Sequence, residues 1–402
     1  MSFFQYDVRE STPLDPDFLM PLPRGDVVGR FLTQTLRLSP IGGFLMALSV
    51  VVVAHLAAIA YYWAVMRERL DDFLRWQFGE WYVFVAFWVA YPLVGSFYAW
   101  SMRASTTIYA KLKSDGILPA SSSNEIAGIK QMNASNWWPI GVLVVAITLE
   151  VSVLADGFQN TFPRTPYIGS DYWVFYVIGA IPNLLGLYII GTMAGRYVTT
   201  IGGLRRIFGL LGSGPTSFLN PWHPDKVGGL GALSTYSVTM TWFVAAVGLL
   251  MMLLAFQSFV LISGIESISA GVWITLAKSL FLNPSLWIFL LLYVVMAPLL
   301  FFLTLGAAHG AMRRAKEEHL RLISRRLNES YSAVHHKLQR RDGSSLGVSV
   351  KPVKDLQDLY RMAEAFPVWP FDFITIRRFA LAYVFPLFTI SLSFELQHLL
   401  SF

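Results

Sequence analysis

Pro284–Arg341 reads PSLWIFLLLYVVMAPLLFFLTLGAAHGAMRRAKEEHLRLISRRLNESYSAVHHKLQRR. Its first part runs for about 25 residues without a charge, enough for a helix to cross a hydrocarbon core of roughly 30 Å. Its second part is dense in Arg and Lys, with apolar residues at Leu320, Ile323, Leu327, Tyr331, Val334 and Leu338. Steps of three and four mark one face of a helix. No Gly-Pro pair divides the two parts, so the stretch predicts one helix that crosses a bilayer and continues beyond it. The basic part belongs on the cytoplasmic side, and the remaining spans follow by alternation.

Of the 402 residues, 55% are hydrophobic and 14% charged. Soluble domains carry about 25% charged residues, so the composition is that of an integral membrane protein. Seven spans are expected, at about Ile41–Met66, Trp81–Met102, Trp138–Leu154, Tyr172–Gly195, Tyr236–Gly264, Pro284–Ala308 and Phe379–Leu400. Trp and Tyr gather at several edges (Tyr61, Tyr62, Trp63, Trp137, Trp138, Tyr172, Trp173), as they do at lipid headgroups. With the N-terminus inside, 26 of the 31 Lys and Arg fall on the inner side. The outer loops hold only Arg67, Arg69, Arg75, Arg164 and Lys278. The positive-inside rule then places the C-terminus outside. The expected fold is all-α and polytopic, with a long cytoplasmic extension of helix six. Residues 1–40 form a cytoplasmic arm, 41–308 the first six spans, 309–378 a cytoplasmic helical hairpin and 379–402 the last span. A plasma (inner) membrane location follows.

The hairpin pairs the basic part of helix six with Val353–Ala365, across the break DGSSLGVSVKP. Such a pair is too small for a core of its own. Its apolar faces either meet other inner loops or join subunits, so a homo-oligomer held by these helices is expected. The basic inner face suits anionic lipid, and nothing in the sequence suggests nucleic acid.

No cysteine is present, so disulfide and thiol chemistry are excluded. His55, His223, His309, His319, His335, His336 and His398 form no metal-ligand spacing. Walker A, dinucleotide and Gly-x-Ser-x-Gly patterns are lacking, and no cofactor is implied. The most unusual loop runs Asn220-Pro-Trp-His-Pro-Asp-Lys-Val-Gly-Gly-Leu-Gly231. Its prolines and glycines suit a rigid turn at the inner surface, which His223 and Asp225 could cap or pin. A gating or ligand role for His223, Asp225 and Lys226 is the alternative. The His-Pro-Asp and Lys sequence is also that of a J-domain, but the flanking helices of that module are missing. The loop, with Pro370-Phe371-Asp372, resembles poorly characterised bacterial multi-pass membrane proteins with His-Pro-Asp and Gly-Gly-Leu before a span, a likeness that implies no activity.

Carboxylates inside a span usually face a partner or a water-filled cavity. Glu150 and Glu395 are two such residues. On span seven Thr389, Ser393 and Gln397 form one polar stripe, and Ser391, Glu395 and His398 another. Pro92, Pro182, Pro298 and Pro386 interrupt four spans, as bent helices around a pathway would. In layout the chain resembles the insect odorant and gustatory receptor channels, tetramers whose inner helices hold the subunits together and whose last helix lines the pore. That resemblance implies a pore along span seven. The outer loops hold more acids than bases, which favours cations. The expected function is an oligomeric, cation-permeable ion channel with Glu395, Thr389, Ser393, Gln397 and Glu150 on its pathway. The alternatives are a secondary transporter with a broken-helix site at Pro182-Asn183, or a membrane-embedded enzyme or accessory subunit.

Overall fold

The structure is a computed structural model of the full chain. It describes residues 21–23, 25–32, 36, 38–118, 123–135, 137–156, 172–211, 219, 223–225, 227–263, 284–339, 346–371 and 373–400. Every regular element among them is helical. We number the helices α1 (Val27–Arg30), α2 (Pro40–Val65), α3 (Leu70–Leu74), α4 (Trp81–Val85), α5 (Tyr91–Ser114), α6 (Ser123–Ala134), α7 (Trp137–Asp156), α8 (Tyr172–Leu211), α9 (Gly231–Ser263), α10 (Pro284–Gln339), α11 (Leu346–Ala365) and α12 (Phe373–Leu400). Five stretches among the described residues are long and apolar enough to cross a membrane: Pro40–Val65, Trp81–Ser114, Ile178–Gly209, Gly231–Leu253 and Tyr293–His336. A shorter apolar helix covers Trp138–Ser152.

Several helices outrun the apolar stretches that announce them. The second runs on from Met102 to Ser114 and the fourth from Gly195 to Leu211. Hydropathy marks where a helix meets lipid, whereas backbone hydrogen bonding continues past that level. Pro92 has no N–H to give the carbonyl one turn back, and a π-turn at Ala86–Ala90 directly precedes α5. Bulges of this kind absorb a proline without ending the helix. α10 is a single helix of 56 residues through Pro298. α11 begins at Leu346, before the expected Val353, with Pro352 inside it. The bond that Pro352 forfeits would go to the Val348 carbonyl, close to the helix start, where such a loss costs least.

α5 lies at the centre, packed on α2, α8 and α9, and α9 in turn packs on α10 and α12. The α2–α5 contact is made of small residues: Gly43 and Ala47 on one helix, Gly95 and Ala99 on the other. A Cβ on Gly95 would lie 2.5 Å from Cβ of Ala47 and 3.0 Å from the Gly43 carbonyl oxygen. Small residues spaced by four let two backbones approach within a bilayer, where lipid removes the hydrophobic drive between helices. The Gly191-x-x-x-Gly195 pair of α8 serves α7 in the same manner, with Val142 and Trp138 filling the space a side chain would need.

At the basic end, the first polar turns of α10 hold other helices by their termini. The ammonium of Lys316 donates to the carbonyls of Glu364 (2.5 Å) and Phe366 (3.0 Å), at the C-terminus of α11. The Arg314 guanidinium donates to Phe208 O (3.2 Å), in the last turn of α8. Helix C-termini present unpaired carbonyls and partial negative charge, so cations settle there. The His309 ring stacks on Trp369 at 4.0 Å, and its Nδ1 lies 2.7 Å from Val368 O.

Gly95→Leu should separate α2 from α5. Overpacking of a tight seam typically costs about 1–3 kcal/mol. A lower thermal midpoint in detergent is expected, with a milder loss for Gly95→Ala. An unchanged midpoint for Gly95→Leu would mean that the two helices part at no cost.

Candidate functional site

The described residue with the most enclosed charge is Asp26, in the segment expected to be a cytoplasmic arm. Its side chain is fully buried. The sequence PRGD sets up the local step: Asp26 is the N-cap of α1, and its Oδ1 accepts from Gly29 N at 2.9 Å. The tertiary step brings three more donors. Tyr98 of α5 donates to Oδ1 at 2.9 Å and Tyr188 of α8 at 3.0 Å. Arg196, two turns beyond Tyr188 on α8, forms an ion pair with Oδ2 through Nη2. Its guanidinium carbon also sits 5.7 Å from the centre of the Tyr98 ring. Arg196 is 6% exposed. By charge pattern alone Arg196 falls in an inner loop, because it follows Gly195, where the apolar stretch ends.

The same face of α8 carries further polar contacts. Ser105 and Thr200 share a hydrogen bond at 2.7 Å, and Tyr109 donates to Thr200 O at 3.3 Å. Tyr91 donates to Pro182 O at 2.6 Å. Asn183 of α8 bonds the Glu150 carboxyl of α7, whose Oε1 is buried without a partner among the described residues. Glu150 is 6% exposed. From Asn183 to Thr200 the groups span about 25 Å of helix at ~1.5 Å per residue. Tyr91, Tyr98 and Ser105 recur every seven residues on α5, the spacing of a helix seam. That heptad of polar groups was present in the sequence and went unread.

Of the sequence-expected pathway residues, one lies on α7 and four on α12. Glu150 belongs to the α7–α8 contact. Thr389 lies on α12, where its hydroxyl donates to Phe385 O at 2.9 Å. Ser393, Glu395 and Gln397 are on the same helix, with side chains outside the described residues. Pro182 and Asn183 lie inside α8, which stays helical through them, so no broken helix is formed there.

The His-Pro-Asp loop is closed on itself. Asp225 Oδ1 accepts from Val227 N (3.0 Å) and Gly229 N (2.9 Å), and Oδ2 from Gly231 N (3.0 Å), the first residue of α9. His223 Nδ1 stands 2.8 Å from Oδ1 and 3.4 Å from Asp225 N; the shorter contact makes it a donor to the carboxylate. Gly228 and Gly229 have φ of +72° and +91°, values that a side chain rarely tolerates. A Cβ on Gly229 would also meet Ile117 Cδ1 at 2.6 Å. Lys226 lies outside the described residues. Burial pushes the Asp225 carboxyl up, but the N–H groups of Gly229, Gly231 and Val227 and the His223 ring outweigh it and hold the group below its ordinary value.

Among the described residues no group of three or more His, Cys, Asp or Glu could hold a metal ion. Comparison with protein-family models, with curated proteins and with solved structures finds no match to this chain.

Asp225→Ala strips three backbone donors of their acceptor. Bonds to a charged acceptor are worth roughly 1.5–3 kcal/mol each, and water recovers part of that in a half-exposed loop. A loss of about 2–4 kcal/mol is expected. The depressed folded-state value makes Asp225 stabilising above the unfolded carboxylate value, near pH ~4. That contribution fades as pH falls through the folded value. Unfolding midpoints from pH 7 down to pH 3 should therefore drop less steeply for Asp225→Ala than for wild type. Parallel curves would remove this carboxylate from the acid response.

Proposed function

We propose that the protein conducts ions or a small solute across a membrane, along polar groups that α8 shares with α1, α5 and α7. The observation that carries this reading is the Asp26–Arg196 pair buried between α5 and α8. A charge pair in a membrane-embedded bundle costs several kcal/mol of desolvation per ion. Apolar packing would serve stability as well or better, and ionisable groups at such depth usually mark a pathway. We also infer seven crossings with the N-terminus inside, α7 and α12 adding to the five long apolar stretches. The split of Lys and Arg supports that topology.

Removing one partner would leave the other charge stranded, so the informative variant is Asp26→Asn with Arg196→Gln. It keeps hydrogen-bonding groups and removes both charges. In proteoliposomes it should remain folded and lose flux of the conducted species by tenfold or more. Flux at the wild-type rate in a folded double variant would make the pair structural and end this reading.

A second reading, an oligomeric pore lined by α12, is favoured by the outward face of that helix. Phe373 is 79% exposed, Phe388 63% and Leu381 57%, an apolar surface that suits lipid or another subunit. In this reading the basic helices α10 and α11 join the subunits, and Glu395 stands near the outer mouth. A tag after Phe402 should then be reached by an impermeant label on intact cells. Labelling only after permeabilisation would remove both the seven-span topology and the outer-mouth position of Glu395.

A further inference from the structure

Beside the ion pair lies a small cleft of about 20 Å³, room for one water-sized particle, lined by Pro21, Leu22, Pro23, Ser101, Met102, Ser105, Trp138 and Arg196. Two donors in its polar lining are unmatched. Arg196 uses Nη2 on Asp26, and its Nε is buried without a hydrogen-bond partner among the described residues. Trp138 is 9% exposed, and its indole Nε1 is likewise buried and unpaired. The hydroxyls of Ser101 and Ser105 are committed, to Tyr98 O at 2.7 Å and to Thr200. No carboxylate lines the cleft. Asp26 lies against the same guanidinium, fully buried, with Gly29, Tyr98 and Tyr188 donating to Oδ1 and Arg196 to Oδ2, and it does not line the cleft. Buried N–H groups left unpaired are costly, and proteins seldom keep two in the lining of one cleft. These two N–H groups lack an acceptor.

We propose that this cleft binds a small monovalent anion of the chloride class, held between the Arg196 guanidinium and the Trp138 indole N–H. The apolar remainder (Pro21, Leu22, Pro23 and Met102) offers no hydrogen bond, and about 20 Å³ leaves no room for a large anion. Chloride loses hydration at lower cost than a divalent oxyanion, and it accepts hydrogen bonds from any direction. The placement has a structural consequence. Trp138 stands at the start of α7, its ring seated on Gly195 of α8, while Pro21–Pro23 lead directly into Asp26. A bound anion would therefore tie the N-terminal segment, α5, α7 and α8 together at one point. The site concerns binding and does not require that the anion be the conducted species.

The full chain, purified in detergent without halide, should take up radioactive chloride saturably. Nitrate should compete and gluconate should not. At chloride a hundredfold above its dissociation constant, linkage raises the folded-to-unfolded ratio about 100-fold, seen as a higher thermal midpoint in chloride than in gluconate at equal sodium. Trp138→Phe keeps a ring on Gly195 and removes only the N–H. Losing one bond to a charged acceptor should weaken chloride binding about tenfold or more. Unsaturable uptake, equal midpoints in chloride and gluconate, or wild-type affinity in Trp138→Phe would overturn the proposal. If Trp138→Phe does not fold, the wild-type competition series decides alone. Flux assays run in parallel keep the two proposals apart, because chloride can bind whether or not anything is conducted.

Discussion

A carboxylate without access to water must find its donors inside the protein, and Asp26 draws them from three directions. One comes from its own turn, one from α5 and two from α8. Each donor is useful only if its helix sits at the right depth and rotation. The pair thereby sets the register of α5 against α8 and recruits the N-terminal segment into the bundle. Around this point the other contacts are permissive. Gly43 and Gly95 let α2 close on α5, and Gly191 and Gly195 let α7 close on α8. In a bilayer such close approach supplies van der Waals contact that hydrophobic exclusion cannot, since lipid tails are as apolar as the side chains they would replace.

The basic end of the molecule works on a different principle. Helices that leave the apolar zone end with free carbonyls, and α10 brings cations to them: Arg314 to α8 and Lys316 to α11. Nearby, the Asp225 loop satisfies its own backbone and seats Gly228 against Phe366 and Gly229 against Ile117. The positive charge that the sequence concentrates here thus has internal work to do, besides whatever it does with lipid. Several buried polar atoms lack a partner among the described residues, and three of them, on Arg196, Trp138 and Glu150, lie between α5, α7 and α8. Function is better sought there, because a satisfied group has nothing left to offer a ligand.

Helix identity could be read from the chain because it depends on local and additive quantities. The run of apolar residues through Leu305 and the three-and-four spacing from Leu320 to Val334 describe one helix, and α10 is one helix. The spacing of Gly191 and Gly195 permits a close contact, but only packing shows that Trp138 and Val142 fill it. The helix ends were less legible, since hydropathy reports lipid contact and not hydrogen bonding. The polar seam went unread because its members look ordinary singly. Tyrosines in a membrane helix suggest an interface belt, and an aspartate in a proline-rich segment suggests solvent. Only their joint placement reveals a site.

The sequence by itself determined an all-helical chain with long apolar stretches, a strongly basic end and no cysteine chemistry, because composition and periodicity act residue by residue. Tertiary structure alone decided that Asp26 meets Arg196 across 170 positions of chain, that Glu150 meets Asn183, and that the Arg196 Nε and Trp138 Nε1 groups are left without an acceptor among the described residues. The physical reason is that a buried charge takes its meaning from its partner. Partnership between distant residues depends on helix rotation and depth, which are settled only when all the helices pack together.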